Sequence, residues 1–331
     1  MPNKDTIKQI AELIISSDSF LITVHESPDG DAVGSMLALN AVMEMMNKEV
    51  LLYSPDVIPG KLRFLDGWNR ISTSTDDIED KKFDVMIMLD CGDRQRSGAY
   101  ISNFRSYKSL INIDHHVSND GYGDLNLIDH KVSSTAEHVY TVISEVMSSK
   151  YPDKKLPKHI AACLLSALYD DTGGMRYIST TSKTLRIAAE LVDAGADCSY
   201  VSENLFFSVS REKMELTSRV LSTLRFEKNG KIAYLIMRLD DLDATGAYSE
   251  DSEGLIDFPR AIYGVEVAFL IKEIGTDRYK VSFRSRGKVD VNEFCSRFGG
   301  GGHKVASGCM ICGSLEDVID KIVMPLKEML N

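Results

Sequence analysis

The chain has 331 residues, 44% of them apolar and 26% charged, an ordinary globular composition that is too long for one comfortable core and suits two domains. Its net charge of −11 disfavours sequence-independent binding to long duplex nucleic acid, which relies on rows of Lys and Arg, yet leaves room for a small anionic substrate because bound cations can reverse the potential of an acidic cleft. No apolar run approaches the ~20 residues that span a bilayer, residues 1–20 lack the basic start and cleavage site of a signal peptide, and six scattered cysteines make no disulfide framework, so a reducing cytoplasm and no membrane partner are expected.

Residues 1–20, MPNKDTIKQIAELIISSDSF, predict an amphipathic helix. A short apolar run follows, Phe20 to Val24, then a loop and a helical pattern from Ala32 to about Met46. Val50 to Tyr53 suits a second strand, and the continuous apolar runs Val85 to Leu89 and Leu110 to Ile113 suit strands buried on both faces. Ser134-Thr135-Ala136-Glu137 predicts a capping box opening a helix to about Met147. Another helix is expected from Pro157 to Leu168. Strands alternating with helices predict an α/β domain, a mostly parallel sheet with helices on both faces.

After Ser182 the pattern changes to two helical segments, Lys183 to Ala194 and Val201 to Leu224, a helical connector. From Lys231 onward strand patterns return in KIAYLIM, VEVAFLI and YKVSFRS. A short helix (VNEFCSRF), a glycine run, the apolar strand KVASGCMI and a final helix capped by Ser314 complete a smaller α+β domain. The expected division is 1–182, connector 183–224, and 225–331. Cys309 and Cys312 lack a second ligand pair at zinc-ribbon spacing and are expected in the core. The acidic clusters Asp76 to Asp80 and Glu250 to Glu253 suit solvated loops, and no Walker or dinucleotide glycine fingerprint is present.

The placement of His and Asp carries the chemistry. FLITV ends in His25, with Asp29 and Asp31 in the loop beyond; VMIML ends in Asp90; LINI ends in Asp114, His115 and His116; and the helix ending LLSALY leads into Asp170, Asp171, Thr172 and Gly173. Taken singly, each has an ordinary explanation as a turn, a strand-end cap or a surface residue. Together they put imidazole and carboxylate on one rim, at the carboxyl ends of strands where sites form in open α/β sheets. So many acids repel one another unless cations offset them. Mixed His and Asp donors move the preference from magnesium towards manganese, iron, cobalt or zinc, and two Mn2+ ions are expected. Two divalent ions about 3.5–4 Å apart clamp an in-line displacement and supply hydroxide near neutral pH, which suits phosphate ester hydrolysis. Cys91, beside Asp90, has no activating base and needs none.

HESPDGDAVGS, the strand ending in Asp90, Asp114-His115-His116 and Asp171-Thr172-Gly173 resemble the four motifs of the DHH phosphoesterase superfamily. Arg284-Ser285 and FGGGGHKVASG (Phe298 to Gly308) are similar to the DHH-associated domain of its nanoRNase and cyclic-dinucleotide phosphodiesterase branch. The resemblance spans nearly the whole chain in the right order. It implies that His25 and Asp29 hold one metal, that Asp31, His115 and Asp171 hold the other, and that Asp90 bridges both. It also implies that Asp114 orients the histidine motif and that His116 assists at the phosphate or leaving oxygen. Asp170 stands where the family commonly has Thr, and Met175 where an aromatic is frequent; Arg176 and Tyr177 fit the usual pattern.

Glycines 299 to 302 let backbone pass close to a ligand and expose N–H groups to an anion, and Arg284 and His303 add donors. Substrate contacts are therefore expected from Arg176, Arg284, Ser285, Gly300, Gly301, Gly302 and His303, in a cleft between the two domains that favours short substrates. The function expected is metal-dependent hydrolysis of short single-stranded oligoribonucleotides, linear or cyclic dinucleotides, or 3′-phosphoadenosine 5′-phosphate. The alternatives are an inorganic pyrophosphatase or exopolyphosphatase and an inactive nucleotide sensor. A homodimer is allowed by the sequence but not required.

Overall fold

The computed structural model describes residues 4–330; the outer limits of the two expected domains, residues 1 and 331, lie outside them. The described residues divide into two units, up to Ser208 and from Val209 onward.

In the first unit, α1 (Lys4–Ser16) buries Ile7, Ile10, Ala11 and Ile14, one stripe of an amphipathic helix. It is followed by β1 (Ser19–Thr23), α2 (Gly30–Met45), β2 (Glu49–Tyr53) and β3 (Phe83–Leu89). Then come α3 (Ala99–Asn103), β4 (Tyr107–Asp114), β5 (Leu125–Ile128), α4 (Thr135–Lys150), α5 (Lys158–Thr172), α6 (Ser182–Asp193) and α7 (Cys198–Ser202). The sheet is parallel throughout, in the order β2-β1-β3-β4-β5. Phe20, Leu21 and Ile22 and all of Val85 to Leu89 are fully buried, as strands covered on both faces must be. Helix α2 is apolar all round and buried from Gly30 to Met43, so it packs as a core element rather than a surface helix. Strand order reverses between β1 and β3, the position at which a doubly wound sheet opens a crevice at its carboxyl edge.

The second unit contains α8 (Arg211–Leu221), β6 (Arg225–Glu227), β7 (Ile232–Met237), α9 (Leu239–Thr245), α10 (Asp257–Ala261), β8 (Val267–Gly275) and β9 (Arg278–Ser285). It ends with α11 (Val291–Ser296), β10 (Gly301–His303), β11 (Ala306–Cys312) and α12 (Leu315–Met329). Its sheet runs β10-β11-β9-β8-β7-β6 and is antiparallel except for the β7–β8 pair. One core holds Phe269, Phe283 and Phe294 with Val318, Ile322 and Leu326 of α12; another holds Leu216 and Val220 of α8 with Leu235, Met237 and Leu270.

Two local expectations change. The helix expected over 201–224 is interrupted: after α7 comes a π-helical turn over Glu203–Phe207, and α8 begins afresh where Ser210 accepts a hydrogen bond from Lys213 N at 3.0 Å. The two units divide at that interruption. Cys309 is core, but Cys312 is exposed, because residues three apart on a strand face opposite ways. The short elements α3, β5, β6, α9 and α10 carry too few residues for a clear periodic signal.

Candidate metal centre

Three neighbouring parallel strands deliver the first donors. His25 follows β1 by two residues, Asp90 follows β3 directly, and His115 follows β4 directly. Asp29 is the N-cap of α2, its Oδ1 accepting from Asp31 N and Ala32 N, each at 3.1 Å. Asp31 lies in the first turn of α2 and is fully buried. Asp171 comes from the last turn of α5, which runs to Thr172 and so extends beyond the Leu168 expected from sequence.

These side chains converge into three groups, in each of which the donor atoms lie within 4.8 Å of one another: His25, Asp29 and Asp90; Asp31, His115 and Asp171; and Asp90, His115 and His116. His25 Nε2 is 3.4 Å from Asp90 Oδ2 and 3.9 Å from Asp29 Oδ1. His115 Nε2 is 3.2 Å from Asp171 Oδ2, 3.5 Å from Asp90 Oδ1 and 4.0 Å from Asp31 Oδ2. Asp90 thus turns one oxygen to each histidine. Its backbone sits in the left-handed region at φ 59°, uncommon for a residue other than glycine and typical of strained functional positions.

The rings are fixed in useful tautomers. His25 Nδ1 is 2.7 Å from Glu26 O, so Nδ1 carries a proton and Nε2 is the nitrogen that faces the acids. His116 Nδ1 is 2.8 Å from Asp114 Oδ1, while Asp114 Oδ2 accepts from Asn119 Nδ2 at 2.6 Å. Asp114 therefore orients His116 rather than His115, and the committed Nδ1 leaves His116 its Nε2 for other work.

The electrostatics call for cations. Burial, then repulsion from Asp90, pushes Asp31 and Asp171 well above the usual carboxylate range. Burial opposes protonation of His25, yet Asp29 and Asp90 outweigh it and raise its pKa to about 10. Burial lowers His115 and favours the neutral imidazole that ligates metals. Acids this close, interleaved with imidazoles, fit divalent cations: the donor set is a mixed N,O set, and neutralising charge is what the site demands. Burial also pushes the Cys91 thiol far up, which removes it as a nucleophile.

Several side chains here have partners that the sequence does not show. Ser134 is the N-cap of α4, but its hydroxyl makes no cap bond and Glu137 does not reach back, so the expected capping box is absent. The amides of Thr135 and Ala136 go instead to Asp31, at 2.6 and 2.9 Å, and Glu137 Oε1 accepts from Ser133 and Thr184. Asp170 is turned away from Asp171's partners: its Oδ2 accepts from Gly30 N at 2.7 Å and its Oδ1 lies 3.2 Å from Lys61 Nζ. Arg96 Nη2 lies 3.3 Å from His25 Nδ1. Apart from Ser133 with Glu137, these contacts join residues far apart in sequence, so local patterns do not reveal them.

Arg176 stacks over Phe206, with its guanidinium carbon 5.7 Å from the ring centroid. In the second unit, Arg284 and His303 both pair with Ala306 of β11, from opposite sides, and His303 is exposed. Ser285 is buried and braces a turn, donating to Val289 O at 2.7 Å and accepting from Gly287 N. The glycine run corrects an expectation. The N–H groups of Gly299, Gly300 and Gly302 already donate to Ser296 O, Cys295 O and Asn292 Oδ1, so they are not open to an anion. The glycines serve close packing instead: a Cβ on Gly300 would stand 2.2 Å from Gly308 O, and one on Gly302 would stand 2.6 Å from Ala306 O.

Comparison with known proteins places the chain in a family. The N-terminal domain of the DHH family matches residues 19–168, and the DHHA1 domain matches residues 229–331. The chain is 30% identical to the probable bifunctional oligoribonuclease and PAP phosphatase NrnA of Streptococcus mutans, covering 98% of this chain and 99% of that one. It is 28% identical to the bifunctional oligoribonuclease and PAP phosphatase NrnA of Thermus thermophilus, covering 99% and 95%. Among solved structures, an exopolyphosphatase-related protein from Bacteroides fragilis superposes with a TM-score of 0.91 at 27% identity, covering 100% of this chain and 98% of that one.

Proposed function

The chain belongs to the DHH family, and from that premise we propose that it hydrolyses phosphate esters of short nucleotides with the help of divalent cations. The substrates proposed are oligoribonucleotides of a few units, linear or cyclic dinucleotides, and 3′-phosphoadenosine 5′-phosphate. The observation that carries this is the convergence of His25, Asp29, Asp31, Asp90, His115 and Asp171 from four segments, with Asp90 common to two of the donor groups. The names of the two NrnA relatives support the nucleotide substrates. Manganese is proposed because imidazole nitrogens sit among the carboxylates.

When bound, such cations supply Lewis acidity toward phosphoryl oxygen and a nucleophile near neutral pH. The protein's own groups do the rest. His25 with Asp29 would hold one cation, Asp31, His115 and Asp171 the other, and Asp90 both. Asp114 raises the pKa of His116 through their hydrogen bond, which suits His116 to donate from Nε2 to a phosphate or leaving oxygen. Arg96, Lys61 and Arg176 add positive charge in the same unit. We assign grip on the substrate's anionic end to Arg284 and His303 of the second unit, with Gly300 and Gly302 packing the loop against β11, Gly301 leaving room beside Asn292, and Ser285 bracing the turn that follows β9.

The test is purified protein with manganese on RNAs of increasing length, linear and cyclic diadenylate, 3′-phosphoadenosine 5′-phosphate and pyrophosphate. Two- to few-residue substrates should be turned over faster than long RNA, and chelation should stop the reaction. The Bacteroides fragilis likeness motivates the second reading, a polyphosphate or pyrophosphate hydrolase. Pyrophosphate turnover exceeding dinucleotide turnover would select it, and tight nucleotide binding without product would select a sensor.

A further inference from the structure

We propose that Thr135 is a positioning residue of the metal centre, setting two carboxylates from different elements at once; this rests on the cation-dependent function above. Its backbone N–H donates to Asp31 Oδ2 at 2.6 Å, and the next amide, Ala136, donates to Asp31 Oδ1 at 2.9 Å. Its hydroxyl donates to Asp90 Oδ1 at 3.0 Å. Asp31 belongs to α2 and Asp90 to the end of β3, so one residue ties both to the start of α4.

The arrangement follows from what a helix start lacks. The first amides of α4 have no intrahelical acceptor, and the residue expected to cap them, Ser134, leaves its own hydroxyl buried without a partner among the described residues. Asp31 fills that role from 104 residues away. A fully buried carboxylate is costly to ionise, and two amide donors at the positive end of a helix favour the charged form that a cation requires. Because both Asp31 oxygens are gripped, its plane is fixed.

The hydroxyl performs a different task. Asp90 must offer Oδ2 toward His25 and Oδ1 toward His115, and rotation about its terminal torsion, which is intrinsically broad, would spoil that division. The Thr135 donor pins Oδ1 while leaving that oxygen a lone pair. The start of α4 is itself anchored: Glu137 Oε1 accepts from Ser133 Oγ and Thr184 Oγ1, each at 2.7 Å, and Lys183 Nζ lies 3.1 Å from Glu137 Oε2. Thr135 is thus held from α6 while it holds the acids.

Thr135→Val keeps the shape and both amides and removes only the hydroxyl donor, whereas Thr135→Ser keeps the donor and removes the methyl group. Manganese binding by equilibrium dialysis, steady-state kinetics on linear diadenylate and melting of the metal-free protein should be measured for the full chain. Thr135→Val should bind manganese about 10- to 100-fold more weakly and lose kcat at saturating substrate with KM little changed, while Thr135→Ser recovers both. Wild-type affinity and kcat in Thr135→Val would overturn the proposal, and so would an equal loss in Thr135→Ser, which would assign the effect to packing of the methyl group. Should Thr135→Val fail to fold, Thr135→Ala carries the same expectation against Thr135→Ser. If the wild type binds manganese but cleaves no nucleotide, the function fails on its own, and the manganese titration still decides the role of Thr135.

Discussion

Asp114 and His116 are joined by a 2.8 Å hydrogen bond between Oδ1 and Nδ1, and neither needs a cation to make it. Burial works against charge on Asp114, but His116 and Asn119 outweigh it and hold its carboxyl below the usual range. The pair is therefore built to keep His116 oriented and proton-rich at Nε2. Asp114→Asn keeps the shape but weakens both effects. It should lower kcat about 10- to 100-fold while manganese stoichiometry stays at the wild-type value. Loss of bound manganese in this variant would instead make Asp114 part of the cation's own support.

Asp170 and Asp171 are neighbours in sequence with separate tasks. Asp171 Oδ2 is 3.2 Å from His115 Nε2, whereas Asp170 ties Gly30 N and Lys61 to the end of α5. Asp171→Asn should abolish measurable turnover and reduce manganese occupancy. Asp170→Asn should keep manganese and cost about 1–3 kcal/mol of stability, the range for losing a charged hydrogen bond to a buried amide. Thermal melts with metal analysis of both variants separate the two roles. Equal metal loss in both would make the pair act together.

The strands that carry His25, Asp90 and His115 were legible because a buried parallel strand is a continuous apolar run whose last residue marks the sheet's carboxyl edge. Asp171 was legible through the Thr-Gly spacing that follows it. Ser134 to Glu137 misled, because a local pattern fits a capping box while the tertiary partner, Asp31, lies a hundred residues upstream. The glycine run misled in a similar way. Its composition shows that the backbone comes close to something, but not that the near neighbour is strand β11 and that the amides of Gly299, Gly300 and Gly302 are already committed. Short elements such as β5 and α3 carry no period to detect.

His138 offers a pH-dependent test. Both of its ring nitrogens are buried and have no hydrogen-bond partner among the described residues. Burial, then the charge of Lys183, pushes its pKa down to about 4. The unfolded chain, with histidine near 6.5, binds a proton between those values and the folded chain does not. Stability from this group is therefore full above pH 6.5 and falls as pH drops towards 4. His138→Leu should remove that loss, gaining on the order of 2 kcal/mol over wild type at pH 5 relative to pH 7.5. Urea melts of both proteins at the two pH values measure it. A difference that does not change with pH would mean that His138 takes up its proton in the folded state.

Gly300 and His303 sit three residues apart in the second unit but should fail differently. A methyl group on Gly300 would meet Gly308 O at 2.2 Å and Cys309 Cβ at 2.5 Å, and a backbone oxygen on a paired strand cannot swing aside. Gly300→Ala should therefore displace the β10–β11 hairpin, lowering the melting temperature and raising KM together. Gly301→Ala meets nothing closer than Asn292 Oδ1 at 3.7 Å, so its fold should survive. His303→Ala removes an exposed donor without touching the packing. It should leave the melt and manganese binding unchanged and reduce kcat/KM about tenfold, the loss of roughly 1.4 kcal/mol of transition-state interaction. Unchanged kcat/KM in His303→Ala would remove the second unit's imidazole from substrate recognition and leave Arg284 to account for it alone.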